Sequence, residues 1–243
     1  MLPRLLAPLG AVTALATARR VGRLGLELGI PVICAGNAGI GGAGKTILAR
    51  DILRRLRARG GAAFALTRGY RGRLSGPILV DPRLHGAGDV GDEALLLAAT
   101  APAIVAKDRA AGGRLALALG AEMIVMDDGL QNPDLARTLS FLVIDGGAGF
   151  GNGRCIPAGP LREPVRAAAA RCRAAVLIGD DRHGALGLLP PGLPVLRARL
   201  RPRSPIPLAG RRVIGFAGIG RPEKFFDSLR EAGAELVRGI GFP

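Results

Sequence analysis

The segment Gly39-Ile40-Gly41-Gly42-Ala43-Gly44-Lys45-Thr46 constrains this chain more than any other, because it has the form of a phosphate-binding loop. Such a loop needs a strand before it and a helix after it. The sequence supplies both: Val32–Ala35 reads as a short apolar strand and Lys45–Arg59 as a helix. Glycines let backbone N–H groups wrap a chain of phosphates, and the helix start adds positive potential. Lys45 is expected to reach the β- and γ-phosphates, and Thr46 to ligate Mg²⁺, so Gly39, Ile40, Gly41, Gly42, Ala43, Gly44, Lys45 and Thr46 together form the expected ATP site. A plain glycine turn is the bland alternative; the strand-loop-helix setting tells against it.

Around this loop the chain alternates short apolar runs with longer helical patterns, as parallel βαβ units do. Further strands are predicted near Ala63–Leu66, Ile78–Val80, Ile104–Ala106, Met123–Met126, Phe141–Ile144 and Ala175–Ile178, with helices at Asp92–Ala99 and Arg109–Leu119. The expected class is α/β, a P-loop NTPase-type, mostly parallel sheet flanked by helices. Residues 197–212 hold six arginines, three prolines and no acid, and read as a linker. Beyond it, Val213–Phe216 and Pro222–Ala232 read as the beginning of a second α/β domain. The expected division is thus 1–28 (an N-terminal apolar and basic helix), 29–196 (the nucleotide domain), 197–212 (linker) and 213–243 (the start of a second domain).

A P-loop needs an acid for its metal. Ile124-Val125-Met126-Asp127-Asp128-Gly129 is an apolar strand ending in two carboxylates, so Asp127 and Asp128 are candidate Mg²⁺ ligands, directly or through water. The competing reading is a strand-ending Asp-Gly turn. A second acidic pair, Asp92-Glu93, opens a helix, where carboxylates are favoured by the dipole and can be mere caps.

Composition bears on partners. With 34 Lys+Arg against 19 Asp+Glu, the formal charge is +15, which invites an anionic partner. Only three of these cations are lysines, so the excess also fits a compositional leaning toward arginine. Nucleic acid is not expected: no Trp and a single Tyr leave too few aromatics to stack bases between the arginines. Three cysteines without ligand spacing suggest neither disulfides nor zinc. Leu5–Ala18 is uncharged for fourteen residues, with Arg4 before it and Arg19, Arg20 and Arg23 after it. That is shorter than the roughly 20 residues of a membrane span. An interfacial helix on an anionic membrane is the favoured reading. A packing helix remains open, as does a signal peptide cleaved near Ala16-Thr17-Ala18.

Taken in order, the motifs resemble the tetraacyldisaccharide 4′-kinase family. The stretches that carry the resemblance are Gly36-Asn37 with the P-loop, Thr67-Arg68-Gly69-Tyr70, Val90-Gly91-Asp92-Glu93, Lys107-Asp108-Arg109 and Asp127-Asp128-Gly129-Leu130-Gln131. They continue with Gly149-Phe150-Gly151-Asn152-Gly153-Arg154, Pro157-Ala158-Gly159-Pro160-Leu161-Arg162-Glu163-Pro164 and Gly218-Ile219-Gly220-Arg221-Pro222. The resemblance implies ATP- and Mg²⁺-dependent phosphorylation of the 4′-hydroxyl of an anionic glycolipid, the lipid A disaccharide 1-phosphate, at the cytoplasmic face of the bacterial inner membrane. It implies Asp92 as the base, with Lys45 as the other catalytic group, and Glu93 beside the metal with Thr46, Asp127 and Asp128. It further implies Arg68, Tyr70, Gln131, Arg162 and Glu163 on the substrate side; guanidinium groups suit phosphate oxygens because they pair bidentately.

Two departures stand out. Where the family has a histidine after the Gln, this chain has Asn132, which cannot titrate. The family also continues past the terminal Gly-Phe-Pro into an Asp-His-His stretch, so the chain is expected to be a fragment whose own activity is in doubt; His85 and His183 are expected at the surface. The competing class is a P-loop ATPase of the metal-insertion or partner-switching kind, whose loop normally has lysine where Ile40 stands here.

Overall fold

The computed structural model describes residues 2–202, 204–219 and 222–242; Gly220 and Arg221 of the last motif lie outside the described residues, as does Arg203 of the linker. The chain opens with helices α1 (Leu2–Leu5) and α2 (Ala7–Val21), then β1 (Val32–Gly36) and α3 (Lys45–Arg57). Next come β2 (Ala63–Thr67), β3 (Ile78–Leu79), α4 (Ala87–Val90), α5 (Asp92–Ala98), β4 (Ala103–Val105), α6 (Arg109–Ala118), β5 (Met123–Asp127) and β6 (Leu139–Asp145). The remainder holds α7 (Val165–Ala169), β7 (Ala174–Ile178), a 3₁₀ turn (Ala185–Leu188), β8 (Val195–Ala198), β9 (Arg212–Ala217), α8 (Pro222–Glu231) and β10 (Glu235–Gly241).

Strands β1 to β8 form one sheet in the order β3-β4-β2-β5-β1-β6-β7-β8. The pairs from β4 through β7 are parallel, and the short edge strand β3 runs antiparallel to β4. Parallel strands are covered on both faces, which is why Ala63–Thr67 and Ala174–Ile178 are buried at every position and read as unbroken apolar runs. Strand β1 sits between β5 and β6, so the chain entering the P-loop leaves the sheet where its connections run to opposite sides. In open α/β sheets that carboxyl-end crevice is the place where ligands bind.

Helix α2 shows how the amino terminus is held. Its inward residues are Gly10 and Thr17. A Cβ on Gly10 would sit 2.8 Å from the Cys155 carbonyl oxygen, so the helix approaches that loop at backbone distance. The Thr17 hydroxyl donates to the carbonyl of Arg162 at 3.1 Å. Away from these residues Leu9, Val12 and Leu15 are more than half exposed, as is Leu5 at the end of α1. Among the described residues no helix is long and apolar enough to cross a membrane.

The chain divides into two compact units, the first ending at Arg197 and the second beginning at Ala198. In the second, β9 and β10 pair in parallel and α8 lays Phe226, 4% exposed, over Gly215 and Gly239. Ile214, Phe216, Val237 and Phe242 of this unit stay exposed.

Candidate active site

The P-loop spans the gap between β1 and α3. Gly41 and Gly44 take positive φ (111° and 90°), turning the backbone so that Lys45 begins the helix. The loop is braced from outside: the Ile40 N–H donates to the Pro160 carbonyl at 2.8 Å, Gly39 bridges Leu161, and the Arg162 N–H donates to the Ala38 carbonyl at 2.7 Å. Ile40 itself is 59% exposed, so this position contributes backbone rather than side chain to the loop. Lys45 is 8% exposed; its ammonium donates to the Gly41 carbonyl at 3.2 Å and lies 3.8 Å from Asp128.

Strand β5 delivers the acids. Asp127 is 1% exposed, and its Oδ2 accepts from the Thr46 hydroxyl at 2.7 Å, while Oδ1 has no partner. Burial pushes its carboxyl up to about 7, with the Thr46 hydroxyl opposing the shift and the charges of Glu93 and Asp128 adding to it. A buried carboxylate with a free oxygen beside a P-loop hydroxyl suits a hard cation. Among the described residues, no three His, Cys, Asp or Glu side chains converge as a self-sufficient metal cage.

Asp128 turns elsewhere. It sits at φ 53°, and Arg162 grips it with both terminal nitrogens, Nη1 to Oδ1 at 2.9 Å and Nη2 to Oδ2 at 3.0 Å. Arg162 Nη1 also donates to Gln131 Oε1 at 3.2 Å. Gln131 Nε2 in turn donates to the Asn37 carbonyl at 2.7 Å and to Glu163 Oε1 at 2.8 Å. Glu163, 2% exposed, takes Arg171 Nη2 on both oxygens at 2.7 Å. Gln131 and Glu163 are thus buried and tied to protein partners, and Arg162 directs its guanidinium to Asp128 and Gln131. The physical reason is charge compensation: a buried carboxylate such as Glu163 persists only beside a cation, and Arg171 is that cation.

The other acidic pair comes from the Val90–Glu93 corner. Gly91 adopts φ 84°, ψ 152°, and a Cβ there would collide with the Tyr70 carbonyl oxygen, so only glycine lets this corner close on the loop after β2. Asp92 is exposed and follows the N-cap residue Gly91; its carboxylate accepts from the adjacent Glu93 N–H at 3.0 Å. Glu93 is partly buried. Desolvation raises its carboxyl pKa, the Lys45 charge opposes this, Asp128 and Asp92 add to it, and a hydrogen bond with Thr46 opposes it. The structure therefore brings Lys45, Thr46, Glu93, Asp127 and Asp128 to one place. Arg68 and Tyr70 stand exposed on the loop that Gly91 supports, Tyr70 at 59%.

Sequence reasoning did not single out Arg109 or Arg171. Arg109 is 3% exposed, donates to the Ala106 carbonyl and is pulled down to about 10 by burial, then by Arg68, against the pull of Asp128, Asp134 and Asp127. Its place after Lys107-Asp108 was the only signal. Asn132 closes a local turn, donating to Asp134 Oδ2 at 2.9 Å and accepting from its N–H at 3.0 Å. His183 is exposed, whereas His85 is half-buried and accepts from the Asp81 N–H at 3.0 Å.

A buried lysine and a half-buried hydroxyl at a P-loop, a strand-end carboxylate beside them and an exposed acid at the rim define a P-loop phosphotransferase of the kinase class. Residues 2–243 match the family described as LpxK, tetraacyldisaccharide-1-P 4′-kinase, and the chain belongs to that family. It is 59% identical over 241 residues to the tetraacyldisaccharide 4′-kinase of Gluconacetobacter diazotrophicus, covering 99% of this chain and 74% of that relative. The corresponding protein of Rhodospirillum centenum is 54% identical over 246 residues, covering 100% and 73%. Among solved structures, the "apo" form of LpxK from Aquifex aeolicus in complex with ATP superposes with a TM-score of 0.79 at 26% identity, covering 100% of this chain and 82% of that one. These matches do not favour the metal-insertion ATPase alternative.

Proposed function

We propose that this chain transfers the γ-phosphate of ATP to the 4′-hydroxyl of a tetraacyldisaccharide 1-phosphate, in lipid A biosynthesis. The observation that carries the phosphoryl-transfer reading is Asp127: buried, bound by the Thr46 hydroxyl on one oxygen and unpartnered on the other. The P-loop N–H groups and Lys45 hold the β- and γ-phosphates. Thr46 and Asp127 would hold Mg²⁺, with Glu93 at the edge of the same site. Such a cation would supply charge neutralisation for the phosphates. Asp92 accepts the proton of the sugar hydroxyl at a carboxylate oxygen while its oxygen forms the new bond to the γ-phosphorus and ADP departs. Its exposure leaves it reachable by an incoming hydroxyl, and alignment matters as much as basicity. Arg68 and Tyr70, on the loop that Gly91 supports, meet the anionic head group.

The substrate is a lipid, and α2 suits its surface. Leu5, Leu9, Val12 and Leu15 enter the boundary of the inner membrane's cytoplasmic leaflet, with Arg19, Arg20 and Arg23 at the level of its phosphates. Incubating the chain with γ-labelled ATP and the tetraacyldisaccharide 1-phosphate in detergent tests the reading. Labelled lipid is the expected result; ATP hydrolysis indifferent to the lipid overturns it.

A further inference from the structure

At the end of the sheet opposite the P-loop, where β6 and β7 begin, a cavity of about 370 Å³ opens between the segment after α2, the 133–140 stretch and the turn that follows α7. That volume lies within the roughly 300–1,000 Å³ of small-molecule sites. Its lining includes Arg23, Arg137, Arg171 and Arg173, together with Thr138 and Ser140, and contains no Asp or Glu. Composition alone would put about two arginines among its lining residues, so four is a concentration beyond the general leaning of the chain. Among the described residues, Arg23, Arg137 and Arg173 make no ion pair. Arg171 is compensated by Glu163, which leaves three guanidinium groups without a carboxylate around one concavity, and like charges repel unless an anion sits among them.

We propose that this cavity is a second anion-binding site, built for a phosphate monoester or similar oxyanion and distinct from the nucleotide site. In the parallel register Leu139 stands level with Ile33 and Leu142 with Gly36, so about three strand residues, roughly 10 Å, lie between the cavity and the level at which the P-loop leaves the sheet. Two of the lining arginines also reach toward the nucleotide end. Arg171 holds both oxygens of Glu163, which leads through Gln131 to Arg162 and Asp128. Arg137 Nη1 donates to the carbonyls of Gly129 and Asn132, at 3.2 and 2.6 Å, within the loop that follows Asp127 and Asp128. An anion in the cavity offsets the charge of Arg137 and so steadies the 129–132 loop whose carbonyls this arginine holds.

The test uses the full chain carrying Lys45→Ala, which weakens phosphate binding at the P-loop, and compares it with the same chain carrying Arg173→Glu or the milder Arg173→Gln in addition. Arg173 is exposed, and its N–H bond to the Ser140 carbonyl survives either change. Binding of inorganic phosphate, of glycerol phosphate and of phosphatidylglycerol vesicles is measured by calorimetry at constant ionic strength, with sodium chloride and phosphatidylcholine vesicles as controls. Amide exchange at residues 129–132 is followed in parallel. The expected result is saturable binding that Arg173→Glu weakens about ten-fold or more and Arg173→Gln by a smaller factor, with slower exchange at 129–132 on binding. Response to the soluble phosphates assigns the ligand to solution, and response to the anionic vesicles alone assigns it to a lipid head group. Binding no stronger than with chloride, or binding that Arg173→Glu leaves unchanged, overturns the proposal. Arg173→Glu alone, with Lys45 intact, is expected to leave turnover unchanged when no such anion is present.

Discussion

The two sides of the candidate site are built differently. On the phosphate side, Lys45 and Asp127 are almost fully buried, and the loop that carries the lysine is laced to residues 160–162 by backbone hydrogen bonds. On the acceptor side, Asp92 and Arg68 are exposed and Tyr70 more than half so, and their backbone is fixed by the close approach of Gly91 to the Tyr70 carbonyl and by the Arg73 and Leu74 N–H groups donating to the Gly88 and Asp89 carbonyls. The phosphate side is thus assembled by the same burial that makes the core, before any ligand arrives. The acceptor side presents side chains whose positions are completed by the substrate. Substitutions on the first should disturb nucleotide binding and folding energetics together, and those on the second should touch turnover alone.

The sharpest way to break this contrast is Lys45→Ala, expected to lower kcat/KM by roughly 10³ or more while far-ultraviolet dichroism stays unchanged. A melted protein would mean that the lysine belongs to the core rather than to the phosphates. Asp92→Ala is expected to reduce kcat by about 10²–10⁴ with ATP affinity kept, measured by turnover beside nucleotide titration. Unchanged kcat would remove Asp92 from the chemistry.

A third experiment reads the burial of Asp127 through pH. Its carboxyl is raised from 3.8 to about 7, so the folded protein holds that proton more tightly than the unfolded chain. Its contribution favours folding at low pH and is lost as pH climbs from about 4 through 7. Asp127→Asn should therefore make the ligand-free protein on the order of 1–3 kcal/mol more stable than the parent at pH 8, with the advantage vanishing near pH 4, as followed by urea unfolding. Equal differences at both pH values would contradict the buried-acid account. Smallest is Arg68→Ala: no stability change beyond about 0.5 kcal/mol, and a KM for the lipid raised several-fold with KM for ATP unmoved.

Much of this architecture is legible in the residues. Strands buried on both faces announce themselves as apolar runs, and β1, β2, β5, β6 and β7 appear within two residues of their expected bounds. The edges are less legible. Strand β8 is mostly exposed and β10 nearly so, leaving no periodic signal, and α7 is a five-residue helix too short to display one. In the site, spacing pointed to the P-loop and to both acidic pairs, but pairing across the fold was out of reach. Arg162 lies thirty-four residues from Asp128, and Arg171 is one of many arginines until Glu163 is seen buried beside it. Nor could the sequence show that Gly91 rather than Asp92 takes the N-cap position, since an Asp can stand at either place at the start of a helix.

One contact of the amino-terminal helix reaches further than its size suggests. Thr17 leans on the carbonyl of Arg162, and Gly10 lies flush against the Cys155 carbonyl, so α2 is fastened to the very segment that buttresses the P-loop. On the membrane reading proposed for this helix, the catalytic cleft has no free tether to the bilayer. It stands at a set height above the lipid, like a tool on a fixed mount, and a sugar hydroxyl must rise to that height to be phosphorylated. Lengthening the lipid head group, rather than its acyl chains, is then the change that this enzyme would feel first.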